Sequence, residues 1–82
     1  MDYYLYRIDE MGEGEIYGKF HSLSAAEMSA KLLMIEEFSF ILSGDMNKVY
    51  FFNKERRWDY DVLTERGKLS FLDMYPSPYD YK

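Results

Sequence analysis

The sequence predicts a single α+β domain, mainly an antiparallel sheet with one helix packed on one face, in the order ββαββββ. Three observations predict this class. The chain has 82 residues, which suffice for one modest core but not for a second domain. Several short segments alternate apolar and polar residues, as half-buried strands do. Only one segment combines a helix-start signal with apolar residues at helical spacing.

The first two strands are predicted at residues 2–9 and 15–21, joined as a hairpin. Residues 11–14 between them include two glycines, which tolerate the positive φ angles of tight turns. Side chains alternate across a strand. We therefore expect Ile16 and Phe20 to lie on the same face of the second strand.

The helix is predicted to begin at Ser24, which is followed three residues later by Glu27. This pair fits a capping box, in which the hydroxyl accepts from an early free amide and the carboxylate reaches back to the amide of the cap. A stripe of apolar residues then predicts the buried face and an end near Glu36. The members of the stripe are Ala25, Met28, Leu32 and Ile35.

The segment that follows the helix has two interpretations, because residues 37–43 could continue the helix or form a strand. The alternation of Phe38, Phe40 and Leu42 with the residues between them favours a strand. A turn at residues 44–47 would then lead into a strand at 48–53. The two strands would form a second hairpin.

The C-terminal part is predicted to contain a strand at 57–63, a turn at 64–67 and an edge strand at 68–72. In the first of these strands, the inward side chains are expected to be Trp58, Tyr60 and Val62, and the outward ones Arg57, Asp59 and Asp61.

The two prolines near the C-terminus cannot join the interior of a sheet. Residues 76–82 are therefore expected to form an extended tail that follows a domain of residues 1–75.

Composition excludes several classes of protein. There is no cysteine, so disulfide frameworks, thiolate zinc sites and cysteine nucleophiles are excluded. The absence of cysteine and of a basic, apolar leader predicts a cytoplasmic location, and no apolar stretch is long enough to span a membrane. The formal net charge of −5 argues against binding of duplex nucleic acid, which requires a basic face.

No pattern in the chain indicates catalysis, a cofactor or a metal ion. His21 lies beside Ser22, but no nucleophile motif surrounds them. The acidic residues lack the ordered spacing of a calcium-binding loop. The sequence therefore predicts a non-enzyme without a cofactor, in which His21 is structural and the carboxylates are solvated.

The acidic and aromatic residues predict a surface that contacts another protein. Residues 1–47 carry nine acidic and three basic residues, a net charge of −6. The nine tyrosines exceed what one small core can bury. The exposed ones either fill the faces of a two-sided sheet or form an interface, to which tyrosine is well suited. An acidic and aromatic surface fits a basic partner, including one that handles nucleic acid. The predicted contact residues are Asp9, Glu10, Glu13, Glu15 and Tyr17, with Asp59 and Asp61 as a second surface.

In size, acidity and lack of catalytic motifs, the chain resembles the broad class of small phage proteins that block host machinery, such as anti-CRISPR and anti-restriction proteins. The resemblance covers no aligned motif, and it implies a non-enzymatic inhibitor. Two alternatives stay open. One is an immunity protein or antitoxin that neutralises a toxin, and the other is a binder of single-stranded nucleic acid through the basic residues Lys54–Arg57 beside Trp58. The oligomeric state is left open.

Overall fold

A computed structural model of the chain describes residues 1–81. Five strands form one antiparallel sheet in the order β2-β1-β3-β4-β5, and two helices accompany it. The α+β class is therefore confirmed, but with a helix in place of the sixth predicted strand. The elements are β1 (Tyr3–Ile8), β2 (Gly14–Phe20), α1 (Leu23–Leu32), β3 (Ser39–Ser43), β4 (Lys48–Phe52), β5 (Trp58–Val62) and α2 (Glu65–Met74).

Each helix covers a different face of the sheet. α1 packs across β1, β2 and β3, where Ala26 and Ala30 meet the buried side chains of Leu5 and Ile41. We call this side the α1 face. Both helices have ten residues, about half of what a bilayer requires, so no helix in the described residues could cross a membrane.

The opposite side, which we call the α2 face, holds the larger aromatic core. Tyr6 stacks on Phe40 at a centroid distance of 4.7 Å, and Phe71 of α2 meets the Tyr6 ring edge-on at 5.4 Å. Such ring pairs contribute beyond the area that they bury. The prediction of one helix on one face is therefore wrong, because the strands supply apolar side chains to both faces.

The capping box and the apolar stripe predicted for α1 are both wrong. The helix is capped by Ser22, whose Oγ accepts a hydrogen bond from the amide of Ala25 at 3.1 Å. Its buried residues are Ala26 and Ala30, whereas Met28 is exposed. Small side chains allow the helix to lie close to the sheet. Met28 and Leu32 remain exposed, whereas Leu23 and, beyond the helix, Ile35 pack partly against the core.

A β-bulge in β2 changes the predicted side-chain alternation. Leu5 pairs with Gly18 and the next residue, Tyr6, pairs with Ile16, so Tyr17 is an extra residue in β2. A bulge of this kind shifts the alternation by one residue. Ile16 consequently packs on the α2 face and Phe20 on the α1 face, and the expectation that they share a face is wrong.

Residues 39–43 form the central strand β3, as the alternation favoured. All five of its residues are buried. β1 and β4 pair with it on either side, and both faces are covered near it. The preceding segment is a short 3-10 turn, Glu36–Phe38, and not a continuation of α1.

The turn at 64–67 and the edge strand at 68–72 are wrong, because this segment forms α2. Thr64 caps the helix, and its Oγ1 accepts a hydrogen bond from the amide of Gly67 at 3.0 Å. Gly67, the last residue of the predicted turn, lies in the first turn of the helix. Only Phe71 of α2 is buried.

The C-terminal segment is packed against the sheet and is not simply extended. It contains a 3-10 turn, Pro78–Asp80, in which Pro78 is buried. The buried hydroxyl of Tyr6 donates a hydrogen bond to the Pro76 carbonyl at 2.7 Å. Burial raises the pKa of Tyr6 far above its ordinary value. The final residue of the predicted tail, Lys82, lies outside the described residues.

Candidate functional site

Three chain connections lie at the same end of the sheet, which we call the turn end. The strand register shows this. Arg7, near the end of β1, pairs with Glu15 near the start of β2 and with Ser39 at the start of β3. Phe52, at the end of β4, pairs with Trp58 at the start of β5. The β1–β2 turn, the 3-10 turn Glu36–Phe38 and the β4–β5 turn all follow or precede these residues. Acidic, apolar and basic side chains are therefore brought to one surface.

The β1–β2 turn is organised by its first carboxylate. Asp9 Oδ1 accepts hydrogen bonds from the amides of Met11 and Glu13, both at 2.9 Å. The amide of Asp9 also donates to the carbonyl of Glu13 at 2.8 Å. Asp9 therefore positions the turn, while the carboxylates of Glu10, Glu13 and Glu15 extend from exposed residues.

An open depression links this acidic turn to an exposed aromatic ring. It has a volume of about 590 Å³ and lies between the end of β1 and the 3-10 turn. Phe38 forms one wall and is 59% exposed. The residues that line it are Arg7, Ile8, Asp9, Glu10 and Phe38.

Met34, at the end of α1, is exposed although its backbone is strained. It has a φ angle of 59°, and its side chain is 86% exposed. The amide of Ile35 donates to the carbonyl of Ala30 and that of Met34 to the carbonyl of Lys31, both at 3.0 Å. This is the Schellman pattern, in which glycine is the usual residue at the left-handed position. An exposed methionine at this position has no evident structural role.

Arg56, in the β4–β5 turn, is a second strained residue beside Met34. Its φ angle is 61°, and its guanidinium donates to the carboxylate of Glu37 at 3.2 Å. Met34, Phe38 and Arg56 all line a shallow depression of about 170 Å³. The third non-glycine residue with a positive φ angle, Met46 at 60°, is instead buried in the β3–β4 turn at the other end of the sheet.

Among the basic residues Lys54–Arg57, Arg56 is engaged by other side chains, whereas Lys54 and Arg57 are exposed. Arg56 is paired with Glu37, and its guanidinium carbon lies 5.7 Å from the centre of the Phe52 ring. Trp58 packs edge-on against Phe52 at 5.5 Å and is only partly exposed. A stacking platform for single-stranded nucleic acid requires open ring faces.

The predicted contact residues fall on two separate surfaces. Asp9, Glu10, Glu13 and Glu15 share the β1–β2 turn region, and Tyr17 lies on the exposed edge strand β2. Asp59 and Asp61 lie on β5, the opposite edge of the sheet. Four strand spacings separate the two edges, roughly 19 Å. The structure therefore does not bring the two acidic groups together.

Sequence reasoning missed Met34 and Phe38. Met34 follows directly after the end of α1, at a position that usually holds glycine, so an exact helix end would have drawn attention to it. Phe38 was interpreted as part of the buried alternation of β3, but it lies in the 3-10 turn before that strand.

The only histidine lies at the end of the sheet opposite the turn end. His21 Nδ1 is 3.0 Å from Asp2 Oδ1, and this hydrogen bond lowers the pKa of Asp2. The pair is exposed and joins the N-terminus to the end of β2. Within residues 1–81, no three His, Asp or Glu side chains converge closely enough to hold a metal ion.

Comparison with known proteins finds no matching family model, curated protein or solved structure. The fold and the surface define a small α+β domain with an acidic and apolar turn end. A fold of this kind does not by itself imply a function.

Proposed function

We propose that the chain is a non-enzymatic protein-binding module that inhibits a basic, nucleic-acid-handling partner through its turn end. The observation that carries this proposal is Met34, which has a left-handed backbone conformation and is almost fully exposed. Its depression shares the Phe38 side chain with the depression at the acidic turn. Glycine would relieve the strain at this position. A contact with a partner provides a reason for the methionine.

The apolar and the acidic side chains at the turn end contribute differently to binding, the first to affinity and the second to the rate of encounter. Met34 and Phe38 offer apolar area that a partner would remove from water, and a few such residues supply most of the affinity of an interface. The carboxylates of Glu10, Glu13 and Glu15 attract a basic surface over a distance and speed its encounter. Carboxylates also fit sites that normally hold phosphates.

An anti-CRISPR or anti-restriction role is the specific form of this proposal, and neutralisation of a toxin is its alternative. Both require a small acidic inhibitor and differ in the partner that it binds. Affinity capture from the native host lysate, with identification by mass spectrometry, distinguishes them. Capture of a nuclease or a nucleic-acid-guided complex supports the first role, and capture of a toxin encoded beside this chain supports the second.

Reversing two charges of the β1–β2 turn is expected to weaken binding of the captured partner. With Glu10→Lys and Glu13→Lys together, we expect a loss of affinity of roughly tenfold to a hundredfold at low salt. The salt dependence should also become shallower, because fewer favourable charge pairs remain to be screened. Calorimetric titration at two salt concentrations measures both effects.

A matched control reverses two exposed acids away from the turn end, Glu65→Lys and Asp80→Lys. This variant has the same change in net charge, so a general charge effect would weaken both variants equally. Equal affinities for the two variants, or an unchanged salt dependence in the turn variant, would contradict the proposed contact surface.

Met34→Gly is expected to separate stability from binding. Relief of the left-handed strain should leave the free energy of unfolding unchanged or raise it by up to about 1 kcal/mol. Loss of the side chain should weaken partner binding by roughly tenfold. Urea denaturation and calorimetry measure the two effects, and Met34→Asn is the control that keeps a residue tolerant of this conformation. If Met34→Gly binds as tightly as the original chain, Met34 is not an anchor.

A further inference from the structure

The strand β5 is an open and regular edge of the sheet. It pairs with β4 through five consecutive residue pairs, from Lys48 with Val62 to Phe52 with Trp58. The other edge strand, β2, is interrupted by the bulge at Tyr17. Bulges are a common means of preventing a further strand from pairing. β5 has no such interruption and is therefore the edge better able to accept a strand.

The backbone of β5 offers hydrogen-bonding groups to that open edge. The amide of Asn53 donates to the carbonyl of Arg57, and the amide of Leu63 donates to the carbonyl of Asn47, both at 2.8 Å. In an antiparallel pair, the backbone amides and carbonyls of every second residue form hydrogen bonds with the neighbouring strand. The backbone groups of the odd-numbered residues of β5 therefore point towards β4. The amides and carbonyls of Trp58, Tyr60 and Val62 consequently point away from β4.

One of these outward amides is occupied by a side chain of the strand itself. Asp59 Oδ1 accepts a hydrogen bond from the amide of Tyr60 at 2.8 Å. The carboxylate takes the place that a carbonyl of an added strand would hold. A strand added at this edge would therefore have to displace the Asp59 carboxylate from the Tyr60 amide.

The side chains of β5 alternate between acidic and apolar. Asp59 and Asp61 pair with Phe51 and Val49, whereas Tyr60 pairs with Tyr50, so the acids and the tyrosine lie on opposite faces. Tyr60 and Val62 are 51% and 66% exposed, because α1 covers β1, β2 and β3 and leaves this strip of the α1 face open.

A second copy of the chain fits this edge less well than a strand with alternating basic residues, because each self-pairing register brings like charges together. Antiparallel self-pairing centred on Tyr60 would place Asp59 opposite Asp61 of the copy, twice. The register centred on Asp61 would place that residue opposite itself. The register centred on Asp59 would also place Asp59 opposite itself, although it would bring Asp61 opposite Arg57 of the copy. Like charges directly opposite each other destabilise a strand pair. Charge complementarity instead favours a strand with basic residues at alternate positions.

We propose that β5 accepts a strand from a partner protein in which lysine or arginine alternates with apolar residues. Its basic side chains lie opposite Asp59 and Asp61, and its apolar side chains lie beside Tyr60 and Val62. Backbone hydrogen bonds provide the pairing, and the alternation provides the selectivity. This inference rests on the proposed protein-binding function and adds a surface distinct from the turn end.

The test uses synthetic nine-residue peptides with capped ends and follows the fluorescence of Trp58, the only tryptophan of the chain. One peptide alternates lysine with valine, and a second has the same composition with the lysines and valines in separate blocks. We expect the alternating peptide to bind roughly tenfold more tightly, as two cross-strand charge pairs allow. Equal binding of the two peptides would overturn the proposal.

Two variants of β5 test the backbone pairing and the charge pairing of the added strand separately. Tyr60→Pro removes an amide that β4 does not use, so we expect loss of peptide binding with the fold retained. Asp59→Lys with Asp61→Lys is expected to reverse the preference towards an alternating glutamate and valine peptide. If Tyr60→Pro fails to fold, the reversal alone decides, and absence of reversal would refute the proposal.

The control variant Glu65→Lys with Asp80→Lys should keep the preference for the lysine peptide. The peptide assay does not involve the β1–β2 turn, which carries Glu10 and Glu13. A failure of strand addition is therefore distinguishable from a failure of the proposed function, which is tested by partner capture and by the Glu10 and Glu13 variants.

Discussion

Tyr6→Ala is expected to lower the free energy of unfolding by about 3–5 kcal/mol. The Tyr6 side chain is fully buried, stacks on Phe40 and meets the rings of Phe71 and Tyr75 edge-on. Its removal leaves a cavity in the middle of the aromatic core. Because small domains have total stabilities of about 5–15 kcal/mol, much of the stability would be lost. Urea denaturation followed by circular dichroism measures the change.

Tyr6→Phe is the matched control, because it keeps the ring and removes only the hydroxyl. The carbonyl of Pro76 then loses its hydrogen-bond donor, and we expect a cost of about 1 kcal/mol. Hydrogen exchange should increase in the C-terminal segment around Pro78. If Tyr6→Ala costs no more than Tyr6→Phe, the Tyr6 ring is not part of a packed core.

Phe71→Ala is expected to cost about 3–4 kcal/mol and to release α2 from the sheet. Phe71 is the only buried residue of α2, and its ring meets that of Phe40 edge-on at 5.7 Å. Without this contact, a ten-residue helix is too short to persist in water. Hydrogen exchange of the amides of α2, together with urea denaturation, measures the release.

The exposed residue Leu69 of the same helix supplies the comparison. Leu69→Ala keeps helix propensity and removes no core contact, so its effect should stay within about 0.5 kcal/mol. Equal losses for the Phe71 and Leu69 variants would contradict the packing of α2 on the aromatic face.

The candidate site was only partly predictable from the sequence. The acidic residues around the first turn were identified from the two nearby glycines and from the local density of charge, both of which are local features. Met34 and Phe38 were missed, because their exposure depends on where α1 ends and where β3 begins. The separation of Asp59 and Asp61 from the β1–β2 turn depends on strand order, which no local pattern encodes.

The sequence by itself determined most of the strands, because alternation over five to seven residues is a local signal. It also placed the first helix between the second and third strands. The sequence did not predict α2, because Gly67 is compatible with a turn and the short apolar pattern around Phe71 is compatible with a strand.

Only the tertiary structure decided which side chains form the core. Ala26 and Ala30 are buried in place of the larger apolar residues of α1, because a helix that lies close to a sheet requires small side chains. The bulge at Tyr17 sends Ile16 and Phe20 to opposite faces. The periodicity of apolar residues indicates whether a segment is a helix or a strand. Which of its sides is buried depends on the elements that pack against it, and these are distant in the chain.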